Sequence, residues 1–320
     1  MTAKTIAIGI AVGVIALIAI GALALQYAIA RNGPAVLTTV DRITGGTNGA
    51  ELKATISTGA HPQQKLLVWG PEDRDAGDAP LPVLLFIHGG SWRDGDPVDY
   101  AFMARSLVQE GILVVFGGYR LGADGVYPAM LEDTARAVEW TREEIAGFGG
   151  DPDRIILAGH SAGAYNAMMV ALEEQWLGRR GMAADDLAGV IGLAGPYDFL
   201  PLDSDSTKAS FGHVENLPKT QPVSHIRGDA PPMLLIHGEA DETVNIRHTN
   251  TLAKMVSEAG GTVSAHRYPG MGHGDPIIAL ASPWRNRDSH RDIHTRIVAF
   301  IRSSGASFAQ TSVPVKPEAR

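Results

Sequence analysis

The sequence predicts an α/β fold with a mostly parallel central sheet flanked by helices, and three observations predict it. Short apolar runs alternate with stretches of helical periodicity. The runs are continuously apolar rather than alternating, as suits strands buried on both faces. Glycine-rich turns follow several of them directly, as expected where strand ends carry a site. The runs are Leu81–Ile87, Ile112–Phe116, Ile155–Ala158, Val190–Leu193 and Met233–Ile236, with Val263–Tyr268 as a further strand. Helical patterns lie between them at Tyr100–Glu110, Met130–Ile145, Gly163–Trp176 and Arg247–Ala259. This alternation implies helices packed on both sides of one sheet. Leu66–Trp69 and its upstream neighbour are expected to add antiparallel edge strands. No internal repeat is visible.

Composition narrows the function classes. The chain has 320 residues, a formal net charge of −8 and no cysteine. Nucleic-acid binding is not expected, because phosphate recognition needs clustered Lys and Arg and no basic run occurs. Disulfides, thiolate metal sites and a cysteine nucleophile are excluded. His61, His213, His225, His248, His290 and His294 show no convincing metal-ligand spacing; His290 and His294 stand four apart but lack an evident third ligand. No cofactor is expected.

From Thr5 to Ala30 no charged residue occurs, and Lys4 and Arg31 bracket the run. As a helix this segment would reach about 39 Å, enough to cross a ~30 Å hydrocarbon core. Residues 1–31 are therefore expected to be a membrane anchor, with the rest of the chain facing the extracytoplasmic side. The alternative is a signal peptide cleaved after Ala28-Ile29-Ala30, giving a secreted or periplasmic protein. Residues 32–50 (with Gly33-Pro34 and Gly45-Gly46) read as a linker. The α/β domain is expected over 51–303 and a disordered tail over 304–320.

The chemistry-bearing motifs sit at strand ends. Gly159-His160-Ser161-Ala162-Gly163 follows one strand and opens a helix, the context in which a sharp turn lifts a serine hydroxyl above the sheet. His88-Gly89-Gly90-Ser91-Trp92 follows another strand. Taken singly it could merely end that strand, but beside such a serine it supplies free backbone N–H groups for a developing oxyanion. Gly90, Ser91 and Ala162 are the expected donors. After Met233–Ile236 comes Asp241, with Glu239 and Glu242 as nearby competitors for the same role. After Val263–Tyr268 comes His273, in a glycine-rich loop with little core to pack into. The order Ser161, Asp241, His273 differs from that of chymotrypsin or subtilisin.

These motifs, together with Tyr119-Arg120-Leu121, Tyr127-Pro128-Ala129 and Asp151-Pro152-Asp153-Arg154, resemble the α/β-hydrolase superfamily over about residues 50–303. The resemblance is to its small carboxylesterase group, which includes feruloyl-esterase-like, kynurenine-formamidase-like and isoprenylcysteine-methylesterase-like enzymes. Ser91 and Trp92 depart from the triple glycine of lipases and favour the esterase/formamidase branch. No large cap is inserted; Phe199–Ala230 alone is long and irregular enough to shape a pocket. The resemblance implies a Ser-His-Asp serine hydrolase acting on a small-molecule carboxylic ester through an acyl-enzyme. Arylformamidase activity, or a membrane-tethered binding role without catalysis, are the alternatives.

Overall fold

A computed structural model describes residues 3–45, 49–75, 77–285 and 287–303. The predicted tail over 304–320 lies outside the described residues. Eight strands form one sheet in the order β1-β2-β4-β3-β5-β6-β7-β8. They are β1 (Ala50–Ser57), β2 (Lys65–Pro71), β3 (Leu81–Ile87), β4 (Leu113–Gly117), β5 (Gly150–His160), β6 (Gly189–Leu193), β7 (Met233–Gly238) and β8 (Val263–Tyr268). β1 and β2 are antiparallel to their neighbours, as expected for that edge, and all pairings from β4 to β8 are parallel.

The apolar runs are strands because both of their faces are covered. Leu85 and Ile87 of β3 enter a core beneath α3 (Ala129–Glu144), α4 (Ala162–Leu172) and α7 (Arg247–Glu258). Leu84 and Phe86 enter a second core beneath α2 (Ala101–Val108) and α9 (Asp288–Arg302). Period-two alternation of side chains thus feeds two cores from one continuous apolar run. The short helices α5 (Gln175–Gly178), α6 (Asp205–Phe211) and α8 (Asp275–Ile278) complete the described set.

The chain leaves β3 toward β4 on one side and returns to β5 on the other, so β3 and β5 flank a topological switch point. In open parallel sheets such a point, at the carboxyl ends of the strands, is where ligands bind. Ile87 pairs with Gly159 there, which brings the turn after β3 beside the turn after β5.

The expected linker over 32–50 is corrected. Helix α1 spans Ala3–Gly45, with a non-helical break at Asn32 (φ −155°, ψ 79°). Asn32 is in effect the N-cap of a second helical half, because its Oδ1 accepts from the N–H of Ala35 at 3.2 Å. Gly33-Pro34 therefore starts a helix rather than a linker, since proline suits the first turn, where its missing N–H has no partner to lose. This half is docked. Thr38 Oγ1 donates to the carbonyl of Asp99 at 2.6 Å, Arg105 pairs with Asp41, and Leu37 is buried. The membrane-spanning expectation for residues 1–31 is not supported: among the described residues no helix is long and apolar enough to cross a membrane. Several side chains of that segment lie outside the described residues.

Candidate active site

The serine turn is built as its sequence demands. Ser161 has φ 54° and ψ −121°, outside the regions open to most side chains, and caps the N-terminus of α4. A Cβ on Gly163 would lie 2.1 Å from the carbonyl oxygen of Ile87, and one on Gly159 would lie 2.2 Å from that of Gly163. Only glycine allows the turn to sit this close to the end of β3. The strain is held by the backbone: the Ser161 N–H donates to Leu193 at 2.9 Å and its carbonyl accepts from Tyr165 at 3.1 Å.

The turn after β3 is similarly constrained. Gly90 has φ 122°, and a Cβ there would lie 1.9 Å from the carbonyl oxygen of Asp94. Ser91 and Trp92 also have positive φ. Trp92 is pinned by a hydrogen bond from Nε1 to Asn166 at 3.1 Å and by edge contacts with Tyr165 and Phe211. Among the described residues no hydrogen bond occupies the N–H of Gly90, Ser91 or Ala162. These are the three donors expected from the sequence.

Asp241 and His273 come together from the ends of β7 and β8. The two loops are joined by backbone hydrogen bonds, Glu239 to Tyr268 at 3.0 Å and Ala240 to Met271 at 2.9 Å. His273 Nδ1 lies 2.8 Å from Asp241 Oδ2. Of the three candidate carboxylates, Asp241 is buried and meets His273, while Glu239 and Glu242 are exposed. Burial opposes ionisation of Asp241, but hydrogen bonds from His237 and His273 outweigh it and hold the carboxyl well below the usual carboxylate range. The N–H groups of Thr243 and Val244 supply its Oδ1 at 2.8 Å each. Ser161 and His273 line one cavity, and no hydrogen bond joins hydroxyl to imidazole among the described residues. Such bonds often form only when substrate is present.

Two histidines at the site escaped sequence reading. His237, at the end of β7, is fully buried, and its Nε2 faces both Asp241 Oδ2 (3.1 Å) and the Val244 carbonyl (2.8 Å). Both are acceptors, so Nε2 carries the proton. Nδ1, when unprotonated, then accepts from Thr249 Oγ1 at 2.7 Å. His160 sits beside Ser161, with Nε2 2.9 Å from the His273 carbonyl and its ring 4.8 Å from the His273 ring. The only sequence signal for either was its adjacency to a motif. The eight remaining histidines each have an ordinary hydrogen-bond partner: His213, for example, bonds the Tyr127 carbonyl, and His248 accepts from the Asp198 N–H.

Burial lowers the pKa of His160 to about 3 and that of His88 to about 4. Both are neutral in the folded protein near neutral pH, whereas in the unfolded chain they bind protons near pH 6.5. Their stabilisation is complete above about pH 6.5 and is lost as pH falls toward those lowered values. Asp241, whose carboxyl is held well below the ordinary carboxylate range by its histidine partners, keeps its contribution throughout this window and takes no part in the decline. Urea unfolding should therefore show a loss on the order of 3–5 kcal/mol between pH 7.5 and 4.5. A flat profile over that window would mean that these imidazoles protonate without unfolding.

Two lobes meet at Ser161. The larger has a volume of about 1050 Å³ and holds His273 and the Gly89–Ser91 turn. The smaller, about 460 Å³, is lined by Ala162, Phe199 and polar groups that include Asp203, Glu242 and Arg247. Among the described residues the segment expected to shape the pocket, Phe199–Ala230, reaches the smaller lobe but not the larger, through Phe199, Asp203, Ser204, Ser206 and Thr207. Much of the wall of the larger lobe comes from α1 and from Ile277, Ile278 and Trp284, none of which the sequence assigns to the site.

The BD-FAE family profile matches residues 72–256, more than half of the chain, and this stretch includes Ser161 and Asp241 but stops short of His273. Esterase LipQ of Mycobacterium tuberculosis is 30% identical over 62% of this chain and 51% of its own length. A probable isoprenylcysteine alpha-carbonyl methylesterase of Oryza sativa is 27% identical over 71% of this chain and 58% of its own. The chain thus spans little more than half the length of these relatives. Among solved structures, esterase B of Lactobacillus rhamnosis superposes with a TM-score of 0.71 at 20% identity, covering 90% of this chain and 97% of that one. A thermophilic esterase of Thermogutta terrifontis gives 0.64 at 21% identity, covering 81% and 94%. At such identities the likeness speaks for the fold, and the α/β-hydrolase expectation is borne out.

Proposed function

The chain belongs to the BD-FAE family, and from that premise we propose that it is a carboxylic ester hydrolase working through an acyl-enzyme on Ser161. The observation that carries the proposal is the 2.8 Å contact between His273 Nδ1 and buried Asp241, beside a cavity that also holds the strained Ser161. Asp241 accepts from His273 Nδ1–H, which leaves Nε2 with the lone pair of a base. His273 Nε2 takes the Ser161 proton as Oγ bonds to the acyl carbon, and Asp241 stabilises the imidazolium. The carbonyl electron pair moves onto oxygen and is met by the free N–H groups of Gly90, Ser91 and Ala162. Collapse expels the alkoxide, which takes the proton from His273. Water, deprotonated by the same imidazole, then releases the acid.

Esters are favoured over amides because an alkoxide leaves more easily than an amine anion. A fluorophosphonate probe should label the folded protein on Ser161 alone, and an aryl acetate should turn over faster than the matching aryl formamide. Faster formamide turnover would assign the protein to the arylformamidases, and folded protein that takes up no label would point to binding without catalysis.

A further inference from the structure

The two lobes differ in character as well as size, and the difference comes from a part of the chain that the family match does not reach. The second half of α1 presents Gly33, Val36, Leu37 and Val40 to the larger lobe, Ile278 and Trp284 also line it, and Asn32, Asp94, Asp96 and Asp99 form its polar part. The spacing of 33, 36, 37 and 40 is one stripe of a helix. Thr38 and Asp41, bonded to Asp99 and Arg105, fix that half of the helix against the body of the domain. The lobe also takes in Ile29 of α1, before the break at Asn32. Ile29 is half exposed, and Leu23 and Tyr27, farther up the helix, are more so. The smaller lobe, by contrast, sets acids, hydroxyls and Arg247 beside a few apolar groups that include Trp92, Phe199 and Val244.

We infer that the larger lobe is the binding site for a long aliphatic chain carried by the ester, with the polar half of the substrate directed to the smaller lobe. The inference rests on the ester-hydrolase reading and specifies its substrate class: amphiphilic esters rather than short, fully polar ones. The apolar lining favours the chain because each methylene taken from water gains roughly fourfold in binding. A cavity of about 1050 Å³ lies at the upper end of the range of pockets that enclose small molecules.

The test uses the full chain and two substrate series, so that a chain on the acid side is distinguished from one on the alcohol side. The first series is 4-nitrophenyl acetate to decanoate, and the second is ethyl acetate to decyl acetate. In one of them kcat/KM should rise at least about tenfold with chain length. Val36→Trp and Ile278→Trp, which fill the lobe from two different elements, should each lower that long-to-short ratio by about fivefold or more. Two variants are used so that one folding failure leaves the other to decide. Should both fail to fold, the wild-type profile decides alone. Acetate turnover with a flat profile in both series, or a ratio that neither folded variant moves, would overturn the chain site and leave the hydrolase reading intact. Absence of turnover on every ester, short or long, would instead remove the hydrolase reading itself.

Discussion

Replacing Ser161 with alanine should abolish ester turnover, lowering kcat by at least about 10⁴-fold, while leaving the unfolding midpoint unchanged or slightly raised. The two halves of this expectation have separate causes. The rate loss follows because the attacking oxygen is gone, and neither His273 nor the N–H groups of Gly90 and Ala162 can replace it. Stability is preserved because the hydroxyl has no hydrogen-bond partner among the described residues, so its removal orphans nothing. The backbone strain at φ 54° is common to serine and alanine. Steady-state rates on a 4-nitrophenyl ester with parallel urea unfolding measure both halves. Hydrolysis by the variant within about tenfold of wild type would move the nucleophile elsewhere.

Asp41→Ala should cost about 3–5 kcal/mol, the penalty for leaving a buried charge without its partner. The side chains of Asp41 and Arg105 are both buried, and among the described residues the guanidinium without Asp41 retains a long contact to the Thr38 carbonyl, at 3.4 Å. Since the pair joins α1 to α2, the response should begin locally, with protease cleavage between residues 33 and 45 appearing before global unfolding. Asp41→Leu combined with Arg105→Met should recover most of the loss, because an apolar pair of similar volume carries no desolvation cost. An unchanged urea midpoint and an uncleaved α1 in the single variant would show that this ion pair does not hold the helix.

The contrast between the two halves of α1 shows what sequence can and cannot carry. Strands β3 and β8 have the predicted limits because continuous apolar runs leave little freedom of assignment. Ser161 and the Gly89–Gly90 turn were legible because close backbone approach demands glycine at fixed offsets. Asp241 was readable from its place after β7, although its difference in burial from Glu239 and Glu242 comes only from the fold. Gly33-Pro34 misled because the same two residues suit a linker and the first turn of a helix, and only the cap formed by Asn32 distinguishes them. Helix α9 was not read at all. Its start, Asp288-Ser289-His290-Arg291-Asp292, is polar, and the residues it buries, among them Ile293, Ile297 and Phe300, become meaningful only against the sheet they cover. His237 and His160 went unnoticed for a related reason, since holding a carboxylate or a carbonyl in place leaves no spacing to recognise.

The position of α9 governs how the molecule comes into being on a ribosome. It is the last described helix, yet it packs on β3 and β7 near the middle of the sheet. Until it emerges, the faces of Leu84, Ile156 and Leu234 stay open to water in a nascent polypeptide that has already completed every strand. Unfinished intermediates of this kind invite association with other chains. The need for chaperone shelter should therefore peak between the release of residue 268 and that of residue 302, after the sheet can form and before its second face is sealed.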